Sequence, residues 1–347
     1  MSPDGEATIA CKSLAEFLGK AKYSFICPSP ESQGRVVRKR SSEPSKADAQ
    51  SLQDFWGWSL PCSEKTLKAL LSDALFASLR QTSLIISAPG DKYRSSIRVS
   101  NFYLPNHGPP NHAARDSQLY YIHSSFPASS DSVFFGPDTY LFVSFLQTLT
   151  HHMKSSPRTM IDVCCGSGAG AIHMARTYPE AQAIGLDLNP RALSMGGINA
   201  QLAGSAVQFY ESDLYAAVPK DLVSPGIDLI VSNPPYIASS PDGEDLPIYA
   251  DGGAEFGLGL SLRIVEEGMK ILSSAGMIVV YTGVAISVAD PGYDAFLEKL
   301  KSVEGAELVE YTILHPDMWP EEIGRGAYAD VGRIQVVGAV LKRKCSC

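Results

Sequence analysis

The chain has no run of 18 or more apolar residues, the length at which a membrane-spanning helix comes into question. Its first 30 residues also lack the apolar core of a secretory leader. Both absences set the expectation of a soluble, cytoplasmic protein with no membrane partner. Metal-ligand spacing is missing too. Of the seven cysteines, Cys11, Cys27 and Cys62 are scattered, Cys164 and Cys165 are adjacent, and Cys345 and Cys347 lie near the C-terminus. Without paired Cys-x-x-Cys hooks no structural zinc is expected, and no metal site is assigned. Vicinal cysteines at the end of a buried strand suit a reducing compartment, where they pack as small apolar residues. Basic charge is in short supply, with 29 Lys and Arg against 37 Asp and Glu and a net charge of −8. Nucleic-acid binding leans on Lys and Arg contacts to phosphate, so this balance argues against such a partner. No internal repeat is present.

What the chain does have is enough apolar content, 45% over 347 residues, to bury one full α/β core and a smaller module. The tetrapeptide Asn233-Pro234-Pro235-Tyr236 follows the apolar run Ile227 to Ser232, which reads as a buried parallel strand. It therefore sits at a strand's carboxyl end, where open α/β sheets place their ligands. Proline lacks an N–H, so the turn offers carbonyl oxygens, and the Asn233 side chain adds an acceptor. Tyr236 adds a flat face. Two acceptors beneath an aromatic ring suit a planar –NH₂ group, although Asn-Pro and Pro-Pro are also common turn dipeptides.

Upstream, Thr159 to Gly170 reads as strand, glycine turn and helix, with Gly166 and Gly168 permitting close ligand approach. The next strand, Ala181 to Leu186, ends in Asp187, followed by Leu188, Asn189 and Pro190. An acid about 20 positions past the glycine turn is placed to hold a ribose hydroxyl pair. A third strand, Val207 to Glu211, ends in Ser212-Asp213-Leu214. The dinucleotide fingerprint requires a third glycine where Ala171 stands, so an S-adenosylmethionine (SAM) site fits better than a dinucleotide site.

Over residues 133 to 342, about three-fifths of the chain, this order of motifs resembles class I SAM-dependent methyltransferases. The resemblance is to the branch carrying the Asn-Pro-Pro-Tyr motif, typified by protein-(glutamine-N5) methyltransferases. It implies an α/β, Rossmann-like, seven-stranded fold, with SAM as cofactor. Val133 to Tyr140 falls where that branch carries a segment over the cofactor, which assigns Phe135, Gly136, Pro137 and Tyr140 to cofactor binding. Asp162, Cys164, Gly166 and Gly168 match the glycine motif around the methionine portion, and Asp187, with Leu188 and Asn189, the ribose-binding acid. Asp213 and Leu214 match the position beside the adenine, and Asn233, Pro234 and Tyr236 the methyl-acceptor site, where Asn233 also borders the cofactor. Cys164 stands where the family usually has glycine, and Gly136 where it usually has arginine.

The expected organisation has three parts. Residues 1–50 read as a mobile segment, including the basic run Arg35 to Arg40 in a Ser/Pro/Gly-rich stretch. Residues 51–132 read as a small α+β module for substrate recognition or dimerisation. There the spacing predicts one helix, capped by Ser63 and carrying Leu67, Leu70, Leu71, Leu75 and Leu79. Strands are predicted over 83–87, 96–100 and 118–123, with a loop at Asn106 to Asn111. Residues 133–347 form the SAM-dependent domain. Trp56 and Trp58 beside Phe55 read as core, and His173 as a packed or surface helix residue, while His123 and His315 are candidates for substrate contact.

The expected activity is methyl transfer to a nitrogen, amide or amine, of a small molecule or a protein side chain. Two further classes stay open: O-methylation of a metabolite carboxylate, and a non-catalytic SAM-binding subunit. Base methylation of nucleic acid uses the same tetrapeptide and is disfavoured by the acidic charge. A homodimer is compatible with the sequence.

Overall fold

The computed structural model describes residues 3–102, 119–153, 155–239 and 246–344. These form two compact units, one of Met1–Tyr140 with Ile198–Gly204, the other of Leu141–Gly197 with Ser205–Cys347. The boundary expected at residue 132 thus falls eight residues later, inside the helix Pro137–Thr148.

The first unit opens with helices where a mobile segment was expected. Helix Pro3–Lys20 buries Ala10, Leu14 and Leu18, one side chain per turn along a single face. Helix Pro30–Ser41 starts on Ser29, whose hydroxyl accepts from the Ser32 N–H at 3.2 Å, with Pro30 in the first turn. Gln33 is fully buried and its amide donates to the Trp58 carbonyl at 3.0 Å, so this polar sequence is anchored by a residue that composition counts as solvated. Trp56 is buried edge-on to Phe55 as a core aromatic, whereas Trp58, expected to be core, is half-buried and lies edge-on to Phe25.

Ser63 does cap a helix, by accepting from the Thr66 N–H, but that helix ends at Leu70. A second runs over Asp73–Gln81 from its own cap, Ser72, which accepts from Leu75 N–H at 3.3 Å. The leucine periodicity runs across both and hides the break. Strands β1 (Cys62–Ser63), β2 (Ile85–Ala88) and β3 (Lys92–Ser95) form an antiparallel sheet in the order β1-β3-β2. Strands β4 (Ile97–Asn101) and β5 (Tyr120–Ser124) pair antiparallel. The short strands β1 and β3 were not anticipated. The loop expected at 106–111 lies outside the described residues.

The second unit is a seven-stranded sheet of β6 (Thr159–Val163), β7 (Gln182–Asp187), β8 (Val207–Glu211), β9 (Ile227–Ser232), β10 (Leu272–Ser287), β11 (Ala306–His315) and β12 (Val331–Arg343). Their order is β11-β12-β10-β9-β6-β7-β8. The run from β10 to β8 is parallel, while β12 is antiparallel to both β10 and β11. This is the seven-stranded Rossmann-like arrangement that the sequence implied. Near-continuous apolar runs mark central strands covered on both faces, and Ile161, Val163, Ile184, Leu186, Ile230, Ile278 and Val280 form one buried core with Leu262 and Val265 of helix Gly259–Ile271.

Candidate cofactor and acceptor site

Strand order reverses between β6 and β9, and open α/β sheets bind ligands in the crevice at such a reversal. Register sets what arrives there. Val163 pairs with both Leu186 and Ser232, and Asp187 pairs with Glu211. Cys164, Asp187, Ser212 and Asn233 therefore leave the sheet from one edge. The Ser232 hydroxyl donates to the Val163 carbonyl at 2.6 Å, tying the two central strand ends together.

The glycine turn is wound left-handed at three residues, with φ of 57° at Cys164, 53° at Gly166 and 79° at Gly168. A side chain on Gly168 would press within 3.0 Å of the Phe209 ring, whereas Gly166 faces open space, with no atom within 4 Å of where a Cβ would stand. The Cys165 N–H donates to the Leu186 carbonyl at 3.0 Å, and Gly168 N–H to the Cys165 carbonyl at 2.8 Å. Asp187 completes the turn from the next strand. Its carboxylate accepts from Gly166 N–H at 2.8 Å and from Asn189 N–H at 2.9 Å, and burial pushes its pKa above the ordinary carboxylate range. Asn189 in turn accepts from Arg191 N–H at 3.0 Å, starting helix Pro190–Ala203. Leu188 between them is 59% exposed, an apolar side chain left at the surface beside the acid.

Asp162 is only 2% exposed. One carboxyl oxygen accepts from Ala171 N–H at 2.8 Å, at the start of the helix Ala169–Thr177, while the other is buried with no hydrogen-bond partner among the described residues. Burial first, and the nearby Asp187 charge, raise its pKa to about 7, although the Ala171 bond opposes the shift. Cys164 is held as a neutral thiol, its pKa driven up by burial and by Asp187, Asp162 and Asp213. Asp213, 67% exposed at its side chain, lies 3.6 Å from the Arg263 guanidinium, and Leu214 behind it is buried with φ of 47°.

In the tetrapeptide, Asn233 is half-buried, and its side chain makes no hydrogen bond among the described residues. Pro234 and Tyr236 are buried. The Tyr236 ring lies against the backbone of Gly283, where an added Cβ would fall 2.3 Å from a ring carbon. Its hydroxyl accepts from the Trp319 indole N–H at 2.6 Å, so the fold itself supplies partners for the ring expected to stack on substrate. Two residues on, Ala238 N–H donates to the Tyr328 hydroxyl at 2.7 Å. Trp319 and Tyr328, both in the connection between β11 and β12, thus brace the tetrapeptide, and sequence reasoning missed both. The one signal in the sequence was that Trp319 lies four residues past His315. His315 itself accepts from Asp317 N–H at 3.2 Å, within a turn.

Phe135, Gly136, Pro137, Tyr140 and His123 belong to the first unit. The Tyr140 hydroxyl accepts from Cys27 N–H at 3.0 Å and donates to the Asn101 carbonyl at 3.1 Å. The Phe135 ring stacks on Tyr121 and His123, Gly136 N–H donates to Thr139 at 3.3 Å, and Pro137 begins the helix Pro137–Thr148. His123 is buried with its Nε2 2.8 Å from the Ser100 hydroxyl, and burial lowers its pKa well below the usual value. His173 is buried on its helix, as expected.

Residues 139–246 match the methyltransferase small domain family. A ribosomal protein uL3 glutamine methyltransferase of Neisseria gonorrhoeae is 34% identical over 141 residues, 38% of this chain and 46% of that protein. A release factor glutamine methyltransferase of Bordetella pertussis is 40% identical over 104 residues, 29% of this chain and 36% of that protein. The chain thus spans less than half the length of either of these relatives. Among solved structures, a 16S rRNA N2 G1207 methyltransferase of T. thermophilus aligns over 78% of this chain and 62% of its own, with 14% identity and a TM-score of 0.44. The chain therefore resembles class I SAM-dependent methyltransferases, and the glutamine methyltransferases among them.

Proposed function

We propose that the second unit binds SAM and transfers a methyl group to the amide nitrogen of a protein side chain, glutamine being the residue the relatives' names point to. The observation that carries this is the Asn233 side chain, half-buried at the sheet's reversal point and without a hydrogen bond among the described residues, one residue past the strand position that pairs with Val163. The donor set fits the cofactor: a buried carboxyl oxygen of Asp162 lacks a partner that an ammonium could be, Gly166 opens onto empty space, and Asp187 stands where a diol would be held. When bound, SAM supplies a methyl group already activated on a cationic sulfonium.

The chain's residues have the acceptor to manage. The Asn233 side-chain oxygen and the Pro234 carbonyl accept hydrogen bonds from an –NH₂ group, which fixes its plane and aims the nitrogen lone pair. Orientation of this kind supplies roughly 7–11 kcal/mol of a barrier when the geometry is near attack. The same two oxygens stabilise positive charge growing on nitrogen, an oxyanion-hole effect with the sign reversed. No strong base is required, because the methylated nitrogen becomes acidic and releases its proton to solvent. Tyr236 positions this turn from within the fold.

The test is Asn233→Ala, assayed with radiolabelled SAM on a cell extract. Turnover should fall by about 10²–10³ while SAM affinity, measured by calorimetry, stays within twofold. Unchanged turnover, or a matching loss of SAM binding, would overturn the acceptor assignment.

A further inference from the structure

The second unit carries a cluster that the proposed transfer does not use. His151 and His152, in the turn Leu149–His152 that follows helix Pro137–Thr148, meet Glu310 of β11. The His152 Nε2 is 2.5 Å from Glu310 Oε2, and the His151 Nε2 is 3.7 Å from the same oxygen. All three candidate ligand atoms lie within 4.8 Å of one another. From this geometry we infer a binding site for one divalent transition-metal ion, zinc or a neighbour such as cobalt, held by His151, His152 and Glu310.

Three contacts orient the ligands before any ion arrives. The His151 Nδ1 is 2.5 Å from the Thr148 carbonyl, so that nitrogen carries the hydrogen and the Nε2 lone pair faces Glu310. The other Glu310 oxygen accepts from the Thr312 hydroxyl at 3.1 Å, which leaves Oε2 turned to the histidines. The Lys342 ammonium donates to the His152 carbonyl at 2.6 Å and fixes the backbone of the turn. Such outer contacts are what ligating imidazoles and carboxylates characteristically have.

A His152–Glu310 hydrogen bond accounts for one imidazole and leaves the second unexplained. With its hydrogen on Nδ1, His151 aims Nε2 at a carboxylate oxygen 3.7 Å away, a gap that a cation between them would fill. A metal does this for all three groups at once. Two imidazoles and one carboxylate suit zinc, cobalt or nickel, whereas calcium and magnesium take oxygen ligands. Bonds of about 2.0–2.1 Å in a tetrahedral site require the His151 ring to close in, and at 61% side-chain exposure it is free to turn. Three protein ligands leave the fourth position to water. The ion would join the turn before β6 to the edge strand β11.

The experiment is equilibrium dialysis of the full chain, stripped with a chelator, against Zn²⁺, with Co²⁺ substitution read by its visible spectrum. Wild type should bind one equivalent and give a tetrahedral cobalt spectrum without thiolate charge-transfer bands. His151→Ala and Glu310→Gln should each weaken binding at least tenfold, and zinc should raise the melting temperature of wild type only. His151 is exposed, so His151→Ala keeps the test open if Glu310→Gln fails to fold. No saturable equivalent, an affinity unchanged in His151→Ala, or thiolate bands that place the ion on cysteines would each overturn the site.

Discussion

At Cys164 the backbone takes φ of 57°, the left-handed region that disfavours side chains with a Cβ. That gives a physical reason why glycine is usual at this position in the family the motif resembles. Cys164→Gly and Cys164→Ala both delete the thiol, and only glycine relieves the backbone. The glycine variant should be the more stable of the two by about 1 kcal/mol, read from chemical unfolding. Asp162 has a different signature. Its pKa is raised to about 7 by burial, so the folded state holds a proton that the unfolded chain has released. Its contribution to stability is then fully present below about pH 4 and is lost as pH rises towards about 7. The proposed cofactor contact runs the opposite way, since an ammonium favours the ionised carboxyl. SAM affinity should rise with pH up to about 7, and Asp162→Asn should flatten that profile in calorimetric titrations from pH 6 to 8.

Among the elements, the connection between β11 and β12 acts on the tetrapeptide without carrying a reacting group. Trp319 donates to Tyr236 and Tyr328 accepts from Ala238, which holds both ends of the Tyr236–Ala238 stretch. Trp319→Phe keeps an aromatic body and removes the hydrogen bond to the Tyr236 hydroxyl. A loss of about 0.5–1.5 kcal/mol in stability is expected from that one bond. In steady-state assays KM for the acceptor should rise while SAM affinity is unchanged. A fall confined to SAM affinity would show that the brace serves the cofactor instead. The two helices near the N-terminus make the complementary point. Composition marked residues 30–41 as solvated, yet one capping serine and one buried glutamine hold them as a helix.

For the molecule as a whole, the charge of −8 and the acceptor chemistry can be tested together. Label transferred from SAM in an extract should appear on protein, survive nuclease and survive mild alkali. Alkali-labile label would instead indicate esters and the carboxylate reading, and nuclease-sensitive label would indicate base methylation. Among the described residues no helix is long and apolar enough to cross a membrane. Strands β6 to β9, the glycine turn, Asp187 and the Asn233 tetrapeptide were legible in the chain because each is a local signal, while the seven-stranded sheet was implied by the family resemblance. Apolar runs mark strands, glycines mark a left-handed turn, and an acid or amide directly after a run falls at the strand's carboxyl end. The break at Ser72, the bracing by Trp319 and Tyr328, the partnerless oxygen of Asp162 and the meeting of His151 and His152 with Glu310 were not. Each depends on residues distant in sequence or on a local cap beneath an unbroken apolar pattern, and only the register and packing of the folded chain bring such groups together or leave one unpaired.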